Sequence, residues 1–170
     1  SSLHTSGQVA KELLEKSRNS IAKQISASPK EIYFTSGGSE SDNQAIISAA
    51  DYGLKKGKNQ IISSAFEHHA VLHTLKKLEK QGFEIILIGV NSNGIVTPED
   101  IEKAITDKTA LVSIMTANNE IGTIQPIKEI GTICKKHDVL FHTDAVQAVG
   151  HINIDVNELN VDMLSLSAHK

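Results

Sequence analysis

Val9, Ala10, Leu13, Leu14, Ser17, Ile21 and Ile25 recur with the spacing of one helical face. Thr5 or Ser6 is placed to cap that helix, and Pro29 to end it. Ile32-Tyr33-Phe34, β-branched and aromatic, predicts a short strand. The Gly/Ser turn from Thr35 to Ser41 opens a helix running to about Leu54. Gln60 to Ser63 predicts a second strand, and His69 to Lys80 a helix with Val71, Leu72, Leu75 and Leu78 on one side. Phe83 to Val90 reads as a continuous apolar strand, followed by a turn at Asn93-Gly94. Thr97-Pro98-Glu99-Asp100 is a helix start, with Thr97 as cap and Pro98 in the first position. Ala110 to Met115 predicts a buried strand. Pro126 opens a helix with Ile127, Ile130, Ile133 and Cys134 on one side. Val139 to His142 is a strand ending at Thr143-Asp144, and Met163 to Ser167 a last one.

Strands and helices alternate throughout, and the strands are apolar rather than alternating, as expected when helices cover both faces of a sheet. The pattern predicts an α/β fold, a doubly wound, mostly parallel sheet with helices on both faces. In such sheets ligands bind beyond the carboxyl ends of the strands.

Composition narrows the chemistry. The 170 residues are 39% hydrophobic and 22% charged, enough for a packed core. A net charge of −3 argues against nucleic acid as a partner, and four Phe, two Tyr and no Trp argue against a base-stacking platform. No apolar run approaches the roughly 20 residues needed to cross a bilayer, so no membrane role is expected. The single cysteine, Cys134, leaves no intrachain disulfide and suits a reducing, cytoplasmic location.

Five strand ends carry polar or ionisable groups: Ser36-Gly37-Gly38-Ser39-Glu40, Glu67-His68-His69, Asn118-Asn119-Glu120, His142-Thr143-Asp144 with Gln147, and Ser167-Ala168-His169-Lys170. Glycines at a helix start allow close backbone approach, and the free N–H groups there suit a phosphate, although a plain turn capped by Ser39 is the simpler reading. The spacing is not that of a P-loop. A phosphate for the turn, an aldehyde for a lysine and a ring nitrogen for a carboxylate are combined in pyridoxal 5'-phosphate.

Along essentially the whole chain these segments resemble the cysteine desulfurases, pyridoxal phosphate enzymes of the class-V aminotransferase family. The resemblance is carried by Ser1 to Gly7, Phe34 to Asn43, Glu67-His68-His69-Ala70-Val71, Ala117-Asn118-Asn119-Glu120-Ile121-Gly122, His142-Thr143-Asp144-Ala145-Val146-Gln147 and Ser165-Leu166-Ser167-Ala168-His169-Lys170. The Asn-Asn-Glu-Ile-Gly form is similar to the housekeeping branch that supplies sulfur for iron–sulfur clusters. The resemblance implies that Lys170 is the Schiff-base lysine and the base at the substrate α-carbon. It implies that Asp144 pairs with the pyridine nitrogen and that His68 stacks on the ring and moves protons. Asn119 and Gln147 would hydrogen-bond the phenolate oxygen; Gly38, Ser39, Ser167 and His169 would hold the phosphate. Ser39 stands where the family usually has Thr, and Gly38 where it often has Ala. The partners implied are L-cysteine, a second copy in a homodimer, and an iron–sulfur scaffold or other sulfur-acceptor protein.

The family also needs a persulfide-forming cysteine and a C-terminal small domain, both expected after the lysine. The chain is therefore expected to be the large-domain portion, incomplete at both ends and inactive alone. Same-family alternatives are a selenocysteine lyase, a kynureninase or an aminotransferase. Others are a metal-dependent hydrolase built on His68, His69, His73 and Asp144, and a non-catalytic interaction module. His142 is expected to point away from Asp144 and to be structural, Cys134 to be core, and Glu120 to bind substrate or order its turn.

Overall fold

The computed structural model describes residues 4–170. Helix α1 spans Thr5–Gln24, a single turn of 3-10 helix Pro29–Glu31, and α2 Gly38–Lys55. There follow β1 (Gln60–Ser64), α3 (His69–Glu79), β2 (Glu84–Ile88), α4 (Pro98–Ala104) and β3 (Thr109–Ser113). The chain continues through α5 (Ile127–Lys136), β4 (Leu140–Asp144) and β5 (Met163–Ser165). All strand pairs are parallel, in the order β2-β1-β3-β4-β5. The predicted doubly wound α/β layer is thus present. The chain steps from β1 outward to β2, then back past β1 to β3. The direction of winding reverses between β1 and β3, and such a switch point leaves a crevice at the carboxyl ends of the strands.

Two apolar layers sandwich the sheet. Ile61 and Leu111 face α2 and α3, packing with Ile46, Ala50, Val71 and Leu75. Ile62, Val112 and Phe141 face α4 and α5, packing with Ile101, Ile127, Ile130 and Cys134. Neighbouring strand residues point to opposite faces, so each central strand must be apolar on both.

Several expectations are corrected. Ile32-Tyr33-Phe34 forms no strand. No described strand hydrogen-bonds to it, and Tyr33 is 79% exposed. Arg18 holds the segment instead, donating to the Ile32 carbonyl and stacking over the Phe34 ring at 4.9 Å. The Phe83 to Val90 run does form a strand, β2, but at the sheet edge, with Leu87 49% exposed rather than covered by a helix. α1 starts from His4 as its N-cap rather than Thr5, and the His4 side chain makes no capping hydrogen bond. Only its last turn is tied into the core, through Ala22 and Ile25, while Val9, Leu13 and Leu14 are exposed. It ends before Ser26, whose φ is 59°, rather than at Pro29, which opens the 3-10 turn.

Candidate active site

The carboxyl ends of β1, β3, β4 and β5 surround a cavity of about 240 Å³. α2 contributes Gly38 and Ser39 from its first turn. Its N-cap is Gly37, without a side-chain capping bond, so the open N–H groups of the first turn lie at the cavity. Ser39 is therefore inside the helix and leaves its hydroxyl uncommitted as a cap. The fit around Gly38 is close: a Cβ there would lie 2.8 Å from Val146 Cγ2 and 3.1 Å from Ser167 Oγ.

His68 lines the cavity and also starts α3, where Nδ1 accepts from the Ala70 N–H at 3.2 Å. The capping bond places the proton of the neutral ring on Nε2. Asp144 ends β4. Its Oδ1 accepts from the Val146 N–H at 2.9 Å. Burial pushes its carboxyl upward from the ordinary range, opposed by that N–H and by His68. Asn119, Gln147, Ser167, His169 and Lys170 complete the lining. All nine residues singled out from the sequence therefore meet at one cavity. The structure adds Asp42, Met115 and Val146 to them. Asp42 had a sequence signal: it lies four residues after Gly38, on the stripe of α2 that continues through Ile46, Ala49 and Gly53 into the core. A charged residue on such a stripe is uncommon.

His142 does not point away from Asp144. Residues two apart on a strand share a face, and both turn toward α2. His142 is fully buried, its Nδ1 2.9 Å from Ser113 Oγ and its Nε2 3.0 Å from Ser165 Oγ. Burial holds its imidazole down at about 4, so it is neutral. Asn118, not Glu120, orders the 118–124 turn: its Oδ1 accepts from the N–H groups of Glu120 and Ile121, while Glu120 is exposed. Cys134 is core, and burial pushes its thiol up to about 12. The His69 and His73 rings stack, 5.7 Å apart and 22° from parallel. Among the described residues no three His, Cys, Asp or Glu side chains are grouped to hold a metal ion.

Glu67 had a place in a motif but no role. It bridges the switch point: Oε1 accepts from Ser64 Oγ at 2.6 Å on the β1 side and from Met115 N–H at 3.0 Å on the β3 side. Oε2 is buried without a partner, and burial raises the carboxyl to about 8. Glu67→Ala should destabilise the fold by about 1–3 kcal/mol for each donor left unpaired. Glu67→Gln keeps an acceptor and should cost less. The folded carboxyl binds its proton more tightly than the unfolded one. Its stabilising contribution is therefore complete below the ordinary Glu range and is lost as pH rises toward 8, at up to about 1.4 kcal/mol per pH unit. Melting temperature against pH should fall less steeply for Glu67→Gln than for the natural protein across that window; parallel curves would contradict this.

These residues fit a phosphorylated aldehyde carried on a basic ring. An open helix start with two hydroxyls matches the phosphate, a lysine the aldehyde, and a buried carboxylate the ring nitrogen. The fold is that of the pyridoxal-phosphate-dependent transferase-like class of α/β proteins. The chain belongs to the class-V aminotransferase family, whose model matches residues 1–170. It is 54% identical over 170 residues to "Cysteine desulfurase IscS" of Clostridium botulinum (strain Hall), covering all of this chain and 43% of that protein. A solved structure of SspA in complex with cysteine superposes with a TM-score of 0.94 at 41% identity, over 98% of this chain and 48% of that one. A NifS-like protein gives 0.92 at 43% identity, over 98% of this chain and 46% of that one. The chain thus spans less than half the length of these relatives.

Proposed function

We propose that this chain carries the cofactor site of a pyridoxal-phosphate-dependent cysteine desulfurase. Such an enzyme converts L-cysteine to L-alanine and leaves the sulfur as an enzyme persulfide. The observation that carries this reading is the meeting of Asp144, His68, Lys170 and the open start of α2 at one cavity on the switch-point edge of the sheet. The family match and the 54% identity to a named cysteine desulfurase support it.

When bound, pyridoxal phosphate supplies an electron sink for the substrate α-carbon. The side chains do the rest. The α2 N–H groups, Ser39, Ser167 and His169 hold the phosphate. Asp144 would pair with the ring nitrogen and favour a proton there. Lys170 would hold the aldehyde carbon through its amine, and that amine would serve as the base that moves a proton at the substrate α-carbon. His68 would stack on the ring, with Nε2 as its free nitrogen because Nδ1 accepts from the Ala70 N–H. Asn119 and Gln147 bind the ring's phenolate oxygen. Cys134 cannot take the sulfur: it is buried in the α5 core, and its thiol stays protonated. The persulfide thus forms on a cysteine outside these residues. The same reading includes a homodimer, a sulfur-acceptor protein such as an iron–sulfur scaffold, and a cytoplasmic site of action. Among the described residues no helix is long and apolar enough to cross a membrane.

The test uses the intact protein loaded with pyridoxal phosphate. L-Cysteine should yield alanine and an equal amount of alkylatable persulfide, and should be used in preference to selenocysteine and kynurenine. No cofactor uptake, or turnover of kynurenine alone, would overturn the reading.

A further inference from the structure

The cavity holds a second buried acid. Asp42 is 1% exposed, lines the cavity from α2, and has Oδ1 without any hydrogen-bond partner. That oxygen lies 3.7 Å from His142 Nε2, but the pair is no salt bridge, because the buried imidazole is neutral. Asp144, by contrast, receives the Val146 N–H and feels His68. Two buried carboxyls beside one cavity cannot both ionise cheaply, and the one with the donors keeps the charge. The other acidic and basic groups around Asp42 are few. β4 brings His142 and Asp144, the loop before α3 brings Glu67 and His68, and the loop after β5 brings His169 and Lys170. β3 and β5 bring no titratable side chain, and those of α3 are exposed.

We infer that Asp42 is a positioning residue of the cofactor cradle: as the proton-holding partner of Asp144, it leaves Asp144 as the single anion available to the ring nitrogen. The inference rests on the proposed function for its meaning, but not for its test. Burial, then the charge of Asp144, raise Asp42 to about 7, with the Ser165 hydroxyl opposing. Asp42 is thus neutral under mildly acidic conditions and adds a second negative charge in alkaline ones. The added charge favours protonated forms of whatever lies above it.

Asp42→Asn, which keeps the shape and stays neutral, therefore separates a charge role from a structural one. In the intact, cofactor-loaded protein, the near-visible absorbance and kcat/KM of Asp42→Asn, each relative to the natural protein, should change little with pH around pH 6. They should depart above about pH 8, with the spectroscopic midpoint moved to lower pH by about one unit. Curves that superimpose throughout, or an equal loss at both ends of the range, would overturn the inference. Asp42→Ser serves if the Asn variant does not fold. A second readout needs no cofactor. A carboxyl with a raised folded value contributes stability that is present below the unfolded value and lost as pH climbs to the folded one. Between about pH 4 and the folded value of about 7, the ligand-free natural protein should lose melting temperature relative to Asp42→Asn. A constant difference would refute the inference. A protein that takes up no pyridoxal phosphate would sink the functional reading, while this readout would still decide on Asp42.

Discussion

Lys170→Ala in the intact protein is expected to lower desulfuration by about 10²–10⁴-fold or more. Lys170 is the only amine among the described residues lining the cavity. On the proposed reading, its removal would take away both the covalent hold on an aldehyde and the group that moves the α-proton. Arginine would not replace it, because a guanidinium stays protonated and is a poor nucleophile. Borohydride treatment followed by mass measurement gives a readout apart from turnover. The natural protein should retain a pyridoxyl group on the peptide containing Lys170, and the alanine variant should retain none. A variant that keeps more than a tenth of the activity would remove Lys170 from its assigned role. So would a pyridoxyl group trapped on another lysine of the natural protein.

The second large effect concerns the fold. At Gly131 in α5 a Cβ would stand 2.0 Å from the Leu159 carbonyl oxygen and 3.2 Å from that of Asn160. Alanine is the better helix former by about 1 kcal/mol, which favours Gly131→Ala. The clash is with backbone, however, and no rotamer change relieves it. α5 would have to move away from the 159–160 segment, disturbing Ile127, Ile130 and Cys134 in the layer beneath the sheet. Overpacking of this kind costs about 1–3 kcal/mol or more, so the clash outweighs the propensity gain. Gly131→Ala should lower the urea midpoint of the ligand-free protein, and Gly131→Val should lower it further. A midpoint at or above the natural one would show that the helix shifts at no cost.

Much of the fold was readable from period and punctuation. The Val71-Leu75-Leu78 stripe, the Thr97-Pro98 start and the apolar run after Thr109 each correspond to an observed element. These features depend on residues close in sequence. The errors arose where the outcome depends on a partner far away. Tyr33 and Phe34 have strand propensity, but a strand needs a neighbour, and no described strand offers one. Phe83 to Val90 does form a strand, but its place at the sheet edge, paired only with β1, is not written in its apolar run. The α1 stripe is a regular amphipathic pattern with nothing on its N-terminal half among the described elements.

The candidate site divides in the same way. The types and order of its groups are local: glycine and serine at a helix start, imidazole after β1, aspartate at the end of β4, lysine after Ser-Ala-His. Those short segments, with the alternation of strands and helices, were enough to determine the fold class, the family and nine cavity residues. Tertiary structure alone decided that β1 and β3 lie side by side, and so that Glu67 clasps the crevice between them. It alone turned Asp42 onto the face that carries His142 and Asp144. The physical reason is desolvation. A carboxyl's charge state depends on which distant segments exclude water from it and which donors they leave within reach, and neither quantity is encoded by the residues beside it in sequence.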